Sequence, residues 1–446
     1  MREQFCVMLF LLGAMASSTS LSQEAVDPKS PLNLPTSAEG LPGAGPLRLY
    51  EGFRNLWNAR RQAWSKSIDA DQQSLVLLGD SITQVWENLD QHFPGVKVTN
   101  RGISGDTTRG MLIRLKEDVL ALNPRGVVML MGTNDLAENA TPETIVGNIK
   151  LIVEALTRSN QKLPIVMCLV FPSSESKQRP AAKIQATNKL LMQAVKGNPQ
   201  VTVVDTWTLF ANEAGDAMAD YFPDLLHLND AGYARWAAGL RPILATLGFL
   251  EKEADSFSVE PGFTSLFNGN DLTGWGFRPT NPPQRKANAK PNPDAPVVPV
   301  VTNAVSFEAQ KATPDGRYVA INGRLVVTTP TEGRRIQQLW TTREFPKNFV
   351  LKLDFRASPN ADSGVFIRKP QLQCRDFPLA GPYKNLKNYK PQDWNELVIK
   401  VEGSKAHATC NGEVLESELA VPETGPIGLE GDRGQMEYRR IRIQEL

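Results

Sequence analysis

At 446 residues the chain is too long for one ordinary hydrophobic core and comfortable for two domains. Its 49 basic and 48 acidic residues leave a formal net charge of +1, which supplies no long-range pull toward nucleic acid or an anionic membrane. The 41% hydrophobic and 22% charged content is that of a folded globular protein, and no stretch approaches the 18 or so apolar residues of a membrane span.

The chain opens MREQFCVMLFLLGAMASS, a charged start, a short apolar run and small residues at 14 and 16. That pattern predicts a secretory signal over residues 1–16 and a secreted or periplasmic product. Residues 17–45 are proline-rich with little hydrophobic pattern, which predicts an exposed linker. From Leu49 the apolar positions Phe53, Leu56, Trp57 and Trp64 recur at helical spacing. Short apolar runs then follow near 74–78, 96–99, 126–131, 164–170 and 201–205, separated by helical stretches such as TIVGNIKLIVEALTR and AAKIQATNKLLMQAV. Continuous apolar strands alternating with helices predict a three-layer α/β domain over residues 46–250, its parallel sheet covered on both faces.

Residues 251–261 read as a second linker, and the texture changes beyond them. In VLKLDF and ELVIKV the apolar residues alternate, glycine-marked turns recur and helical periodicity is scarce. Residues 262–446 are therefore expected to form an all-β sandwich, interrupted over 279–315 by a surface insertion that begins with seven prolines in residues 279–299. Cys168 lies in an apolar run and reads as a buried thiol, while Cys374 and Cys410 could form a disulfide in an exported protein. The three histidines are scattered and the cysteines unclustered, so no metal site and no cofactor are expected.

The chemistry concentrates at the ends of the apolar strands. SLVLLGDSITQVW carries Ser81 just past the first strand, Asn100-Arg101-Gly102 follows the second, Gly132-Thr133-Asn134-Asp135 the third and Asp224-Leu225-Leu226-His227 the fifth. Four polar signals at one sheet edge exceed what a helix-capping serine requires, and that edge is where open parallel sheets bind ligands. Serine needs a positioned base, and His227 is the histidine at that edge. Asp224, three residues earlier, can fix the imidazole tautomer. The backbone N–H groups of Ser81 and Gly102 and the Asn134 amide are the expected oxyanion donors.

GDSIT, NRGISGDTT, GTND and DLLHLN resemble the four sequence blocks of the SGNH, or GDSL-type, hydrolase superfamily, in the branch that contains platelet-activating-factor acetylhydrolase subunits. The resemblance implies a flavodoxin-like parallel sheet, a Ser81 nucleophile with Asp224 and His227, and an oxyanion hole at Ser81, Gly102 and Asn134. No G-x-S-x-G surrounds the serine, and the close Asp–His spacing also departs from the α/β-hydrolase order.

GFTSLFNGNDLTGW, DWNELVIKV and GPIGLEGDRGQMEYRRIRI resemble a bacterial β-sandwich family named after 3-keto-disaccharide hydrolases. That implies a concanavalin-like jelly roll and a carbohydrate ligand. Many relatives carry a histidine where this chain reads Glu430-Gly431-Asp432-Arg433-Gly434, which removes one ground for expecting hydrolysis there. Arg368, Trp394, Glu430 and Asp432 are the candidate sugar contacts, with Trp275 and Trp340 as further tryptophans that either stack on sugar or pack inside. The expected function is a secreted serine esterase removing an acyl group, acetyl foremost, from a carbohydrate or another small ester. A lipid esterase, a glycan-binding protein with a vestigial esterase half, and a two-activity enzyme stand as alternatives.

Overall fold

A computed structural model describes residues 31–280, 292, 294–376 and 383–446; the expected signal at 1–16 and part of the 279–315 insertion lie outside the described residues. Five parallel strands, β1 (Leu75–Gly79), β2 (Val98–Gly102), β3 (Gly126–Leu130), β4 (Ile165–Cys168) and β5 (Val201–Val204), form one sheet in the order β2-β1-β3-β4-β5. This order reverses direction between β1 and β3, the flavodoxin-like arrangement whose switch point opens a crevice at the carboxyl ends of those two strands. β1 and β3 are buried along their whole length, which explains their unbroken apolar runs. Val76, Leu78, Val127 and Met129 face one apolar cluster with the helices Thr108–Asp118 and Pro142–Ser159. Leu75, Leu77, Val128 and Leu130 face another with Trp236, Leu240 and Ile243 of the helix Asp230–Thr246.

Residues 31–45 are largely exposed and form no helix or strand, but they are fastened to the domain that follows. The guanidinium of Arg109 donates to the carbonyls of Ala38, Leu41, Pro42 and Gly45, and that of Arg54 to those of Leu34 and Pro35. Leu34 is buried against Phe53, Trp57 and Ile103. A chain without side-chain periodicity is thus held by its backbone carbonyls, a pattern that composition does not register.

Beyond residue 261 two antiparallel sheets enclose a single apolar core. The eight-stranded sheet is centred on Phe349–Ala357, which pairs with Asn395–Glu402 and Met436–Glu445. The six-stranded sheet includes Gln371–Arg375, Asp362–Ile367, Ile427–Gly431 and Gln337–Thr341, side by side in that order. Leu351, Leu353 and Phe355, together with Leu397, Ile399 and Val401, point inward, as their alternation predicts. Cys374 and Cys410 are free buried thiols, which corrects the expected disulfide. They sit on strands of different sheets, both facing the core between them. Cys168 is buried too, its thiol pushed up to about 12 by that burial.

Candidate active site

β1 ends at Gly79, where an added Cβ would lie 2.7 Å from the Leu130 carbonyl and closer still to Thr83; only glycine lets the chain turn there. Asp80 caps the short helix Ser81–Gln84 by accepting from the Ile82 N–H, and Ser81 stands first in that helix, with its own N–H outside the intrahelical ladder. The Asp224–His227 segment is a tight turn with Leu225 in the left-handed region (φ 61°), pinned where the Ser173 hydroxyl donates to the Leu225 carbonyl. A strained non-glycine residue inside a polar cluster marks a conformation held by its surroundings.

The three side chains meet. Ser81 Oγ lies 3.0 Å from His227 Nε2, and His227 Nδ1 lies 2.8 Å from Asp224 Oδ2. Asp224 Oδ1 accepts from the N–H groups of Leu226 (3.0 Å) and His227 (2.7 Å). Desolvation alone would raise the Asp224 carboxyl, but those N–H groups and the imidazole outweigh it and hold it at about 2. An ionised carboxylate only accepts, so Nδ1 carries the proton and Nε2 is the bare nitrogen that receives the serine O–H. Serine, histidine and aspartate in this geometry can generate an alkoxide-like nucleophile.

A cleft of about 720 Å³ opens over Ser81, lined by Tyr50, Phe53, Leu56, Val85, Gly105, Asn134, Arg179, Leu226 and His227 among others. Asn134 lines the cleft, and its Nδ2 donates to the Asp106 carbonyl (2.9 Å), leaving the second amide N–H without that partner. Gly102 is corrected. Its N–H is already donated to Asn100 Oδ1 (2.9 Å), and a Cβ there would lie 2.3 Å from the Gln84 backbone nitrogen, so its glycine serves close packing of β2 on the serine helix. Gly105, three residues on, reaches the cleft instead, at φ 85°, and its N–H donates to no other group among the described residues. Both glycines lie in the motif RGISG, and the missed signal was the Asn100 side chain competing for the first of them.

In the sandwich the four sugar candidates separate. Arg368 is corrected: it is buried, and its guanidinium donates to the carbonyls of Phe345, Lys347, Gly403 and Pro422, tying loops together. Trp394 lies on the outer face of the eight-stranded sheet, beside the guanidinium groups of Arg356 (4.5 Å) and Arg439 (4.0 Å), its indole donating to Glu253. Glu430 occupies the outer face of the other sheet, so these two do not share a site. Beside Glu430 stand Gln338, Gln371 and Gln373, and on the same face the rings of Trp340 and Phe366 meet at 5.2 Å. Burial pushes the Glu430 carboxyl above its usual range, against the pull of Gln338 and Gln371. Asp432 pairs with Arg334 near the edge of that face. Trp275 is a core residue, its indole bonded to the Leu266 carbonyl.

The fold agrees with family comparisons. Residues 77–235 match the model of the GDSL-like lipase/acylhydrolase family, and residues 262–444 match that of the 3-keto-alpha-glucoside-1,2-lyase-like domain. The chain thus pairs a GDSL-like lipase/acylhydrolase domain with a domain similar to the 3-keto-alpha-glucoside-1,2-lyase-like family.

Among individual proteins, it is 26% identical over 226 residues to platelet-activating factor acetylhydrolase IB subunit alpha1 of Pongo abelii, covering 49% of this chain and 91% of that one. The alpha2 subunit of Homo sapiens is 26% identical over 222 residues, covering 49% and 92%. Similar solved structures include a GDSL-like lipase from Bacteroides thetaiotaomicron (25% identity, 42% and 97% coverage, TM-score 0.38). An acetylxylan esterase from Geobacillus stearothermophilus is another (21% identity, 41% and 97% coverage, TM-score 0.33).

Proposed function

We propose that the protein is a serine esterase that removes a small acyl group, acetyl foremost, from a carbohydrate. The relay Ser81–His227–Asp224, with both links at hydrogen-bond distance inside an open cleft, carries this reading. His227 Nε2 takes the proton of Ser81 Oγ as the oxygen attacks the ester carbonyl, and Asp224 balances the imidazolium that forms. The N–H groups of Ser81 and Gly105 and the Asn134 amide receive the oxyanion. Collapse expels the alcohol with the proton from His227, and water releases the acid by the reverse path.

Acetyl is supported by the acetylhydrolase relatives, and carbohydrate by the fused 3-keto-glucoside-type domain, whose outer six-stranded face offers Trp340, Phe366 and Glu430. The N-terminal pattern supports export, which N-terminal sequencing of the mature protein tests by finding, or not finding, a start near residue 17. A phospholipid acetyl ester is the second reading, favoured by the names of those same relatives.

Ser81→Ala is expected to lower hydrolysis of 4-nitrophenyl acetate by at least about 10³-fold and to abolish labelling by a fluorophosphonate. Activity that survives in the variant removes the mechanism. Turnover falling from acetate to octanoate, with release of acetate from acetylated polysaccharide, supports the carbohydrate reading; preference for lysophospholipid or platelet-activating-factor analogues replaces it with the lipid one.

A further inference from the structure

The polar loop VFPSSESKQRP, between β4 and the helix Ala181–Val195, brings one charged side chain into the esterase cleft. Arg179 is only 6% exposed. Its Nε donates to the carbonyl and hydroxyl of Thr133, both at 2.8 Å, and its Nη1 to the Lys177 carbonyl. Its Nη2 donates to Asn134 Oδ1 at 3.4 Å. It forms no ion pair with any carboxylate among the described residues, although a buried guanidinium without one is costly. The group this guanidinium reaches at the cleft is the Asn134 amide, which lines it together with Ser81.

A primary amide can sit in either of two flipped orientations. In the one seen, Asn134 Nδ2 donates to the Asp106 carbonyl and Oδ1 receives Arg179. Flipping it would set NH₂ against the guanidinium and oxygen against the Asp106 carbonyl, two repulsions replacing two hydrogen bonds. The observed orientation leaves one N–H of Nδ2 unspent and lining the cleft.

We infer that Arg179 is a positioning residue of the oxyanion hole, acting through Asn134 by locking its amide with an N–H turned to the substrate oxyanion. This rests on the esterase reading above. Lysine, a single point donor on a flexible stem, would not reproduce a planar fork bonded at Thr133, Lys177 and Asn134 together.

The test is a double-mutant cycle in the full-length protein, with kcat and KM measured separately on 4-nitrophenyl acetate. Loss of one oxyanion donor costs about 10²–10³ in kcat. Arg179→Met and Asn134→Ala are each expected to lose about 10²-fold in kcat, with KM within about threefold of wild type. The Arg179→Met/Asn134→Ala double variant should fall no more than about threefold below Asn134→Ala. Losses that multiply, a loss in KM alone, or kcat within threefold of wild type in Arg179→Met would each overturn the inference. If Arg179→Met fails to show the wild-type thermal transition, Arg179→Gln, which keeps one donor at that place, takes its position in the cycle under the same criteria. Ser81→Ala separates the two readings: activity there overturns the esterase mechanism and the inference with it. A dead Ser81→Ala beside a fully active Arg179→Met overturns the inference alone.

Discussion

Asp80 adjoins Ser81 and is completely buried, with one carboxylate oxygen bonded to the Ile82 N–H and the other without a hydrogen-bond partner among the described residues. Desolvation raises its carboxyl to about 7; the charges of Asp106 and Asp135 add to that, while the Ile82 N–H and Arg179 oppose it. A folded-state pKa above the unfolded one means that the native chain holds the extra proton. The stabilisation is complete below the unfolded carboxylate value near 4 and is lost as pH climbs through 7. Asp80→Asn cannot ionise, so between pH 5 and pH 8 its stability relative to wild type should improve by about 1–3 kcal/mol. Urea unfolding at the two pH values measures this, and an unchanged difference would refute it. At this scale residue type pointed to three side chains, Ser81, His227 and Asp224, each within hydrogen-bond distance of the next in the fold. It was mute where hydrogen-bond accounting decides. Gly102 and Gly105 look alike until Asn100 is seen to occupy the first, and Arg368 ends a strand like any surface arginine until four carbonyls close on it.

The elements that hold the serine are set by close backbone approach. β2 lies so near the helix Ser81–Gln84 that a Cβ on Gly102 would fall 2.3 Å from Gln84 N and 2.8 Å from the Asp80 carbonyl, both backbone atoms that cannot swing aside. Gly102→Ala should therefore push helix and strand apart, costing about 1–3 kcal/mol and reducing ester hydrolysis by displacing Ser81. A thermal midpoint and turnover equal to wild type would show that the approach is looser than described. Gly105→Ala differs in kind: its nearest obstacle is the end of the flexible Arg48 side chain, and its cost is the left-handed φ of 85°. The parallel strands were legible as unbroken apolar runs because both faces of β1 and β3 are buried, and the sandwich strands because one face is. Residues 31–45 escaped that reading, since they are fastened by carbonyls accepting from Arg54 and Arg109, and carbonyls leave no trace in residue type.

The change of texture near residue 251 marked the two halves of the molecule, but not how they touch. Residues 251–261, expected as a linker, run along the sandwich on carboxylate fastenings: Glu253 to Arg356, Asp255 to Arg440 and Glu260 to Arg442. Direct bridges reinforce them, from Asn360 Nδ2 to Asp205 (2.5 Å), from Gln435 Nε2 to the Pro242 carbonyl (3.0 Å) and from the Gly197 N–H to the Thr331 carbonyl (2.8 Å). The sandwich is thus docked on the esterase domain, and any gain in effective substrate concentration comes from a fixed geometry instead of a loose tether. The two domains also pack closely at Gly239 in the helix Asp230–Thr246, where an added Cβ would meet Pro359 of the sandwich at 3.2 Å and Leu209 at 3.3 Å. Gly239→Leu drives a branched side chain into that seam. Calorimetry should resolve two unfolding transitions in the variant where the wild type shows one, with turnover of 4-nitrophenyl acetate held within about threefold because Ser81, Asp224 and His227 lie outside the wedge. Release of acetyl groups from an insoluble acetylated polysaccharide should fall further than turnover of the small ester, since only the polymer needs both domains held in register. Equal losses on the two substrates would mean that the docked geometry serves stability alone.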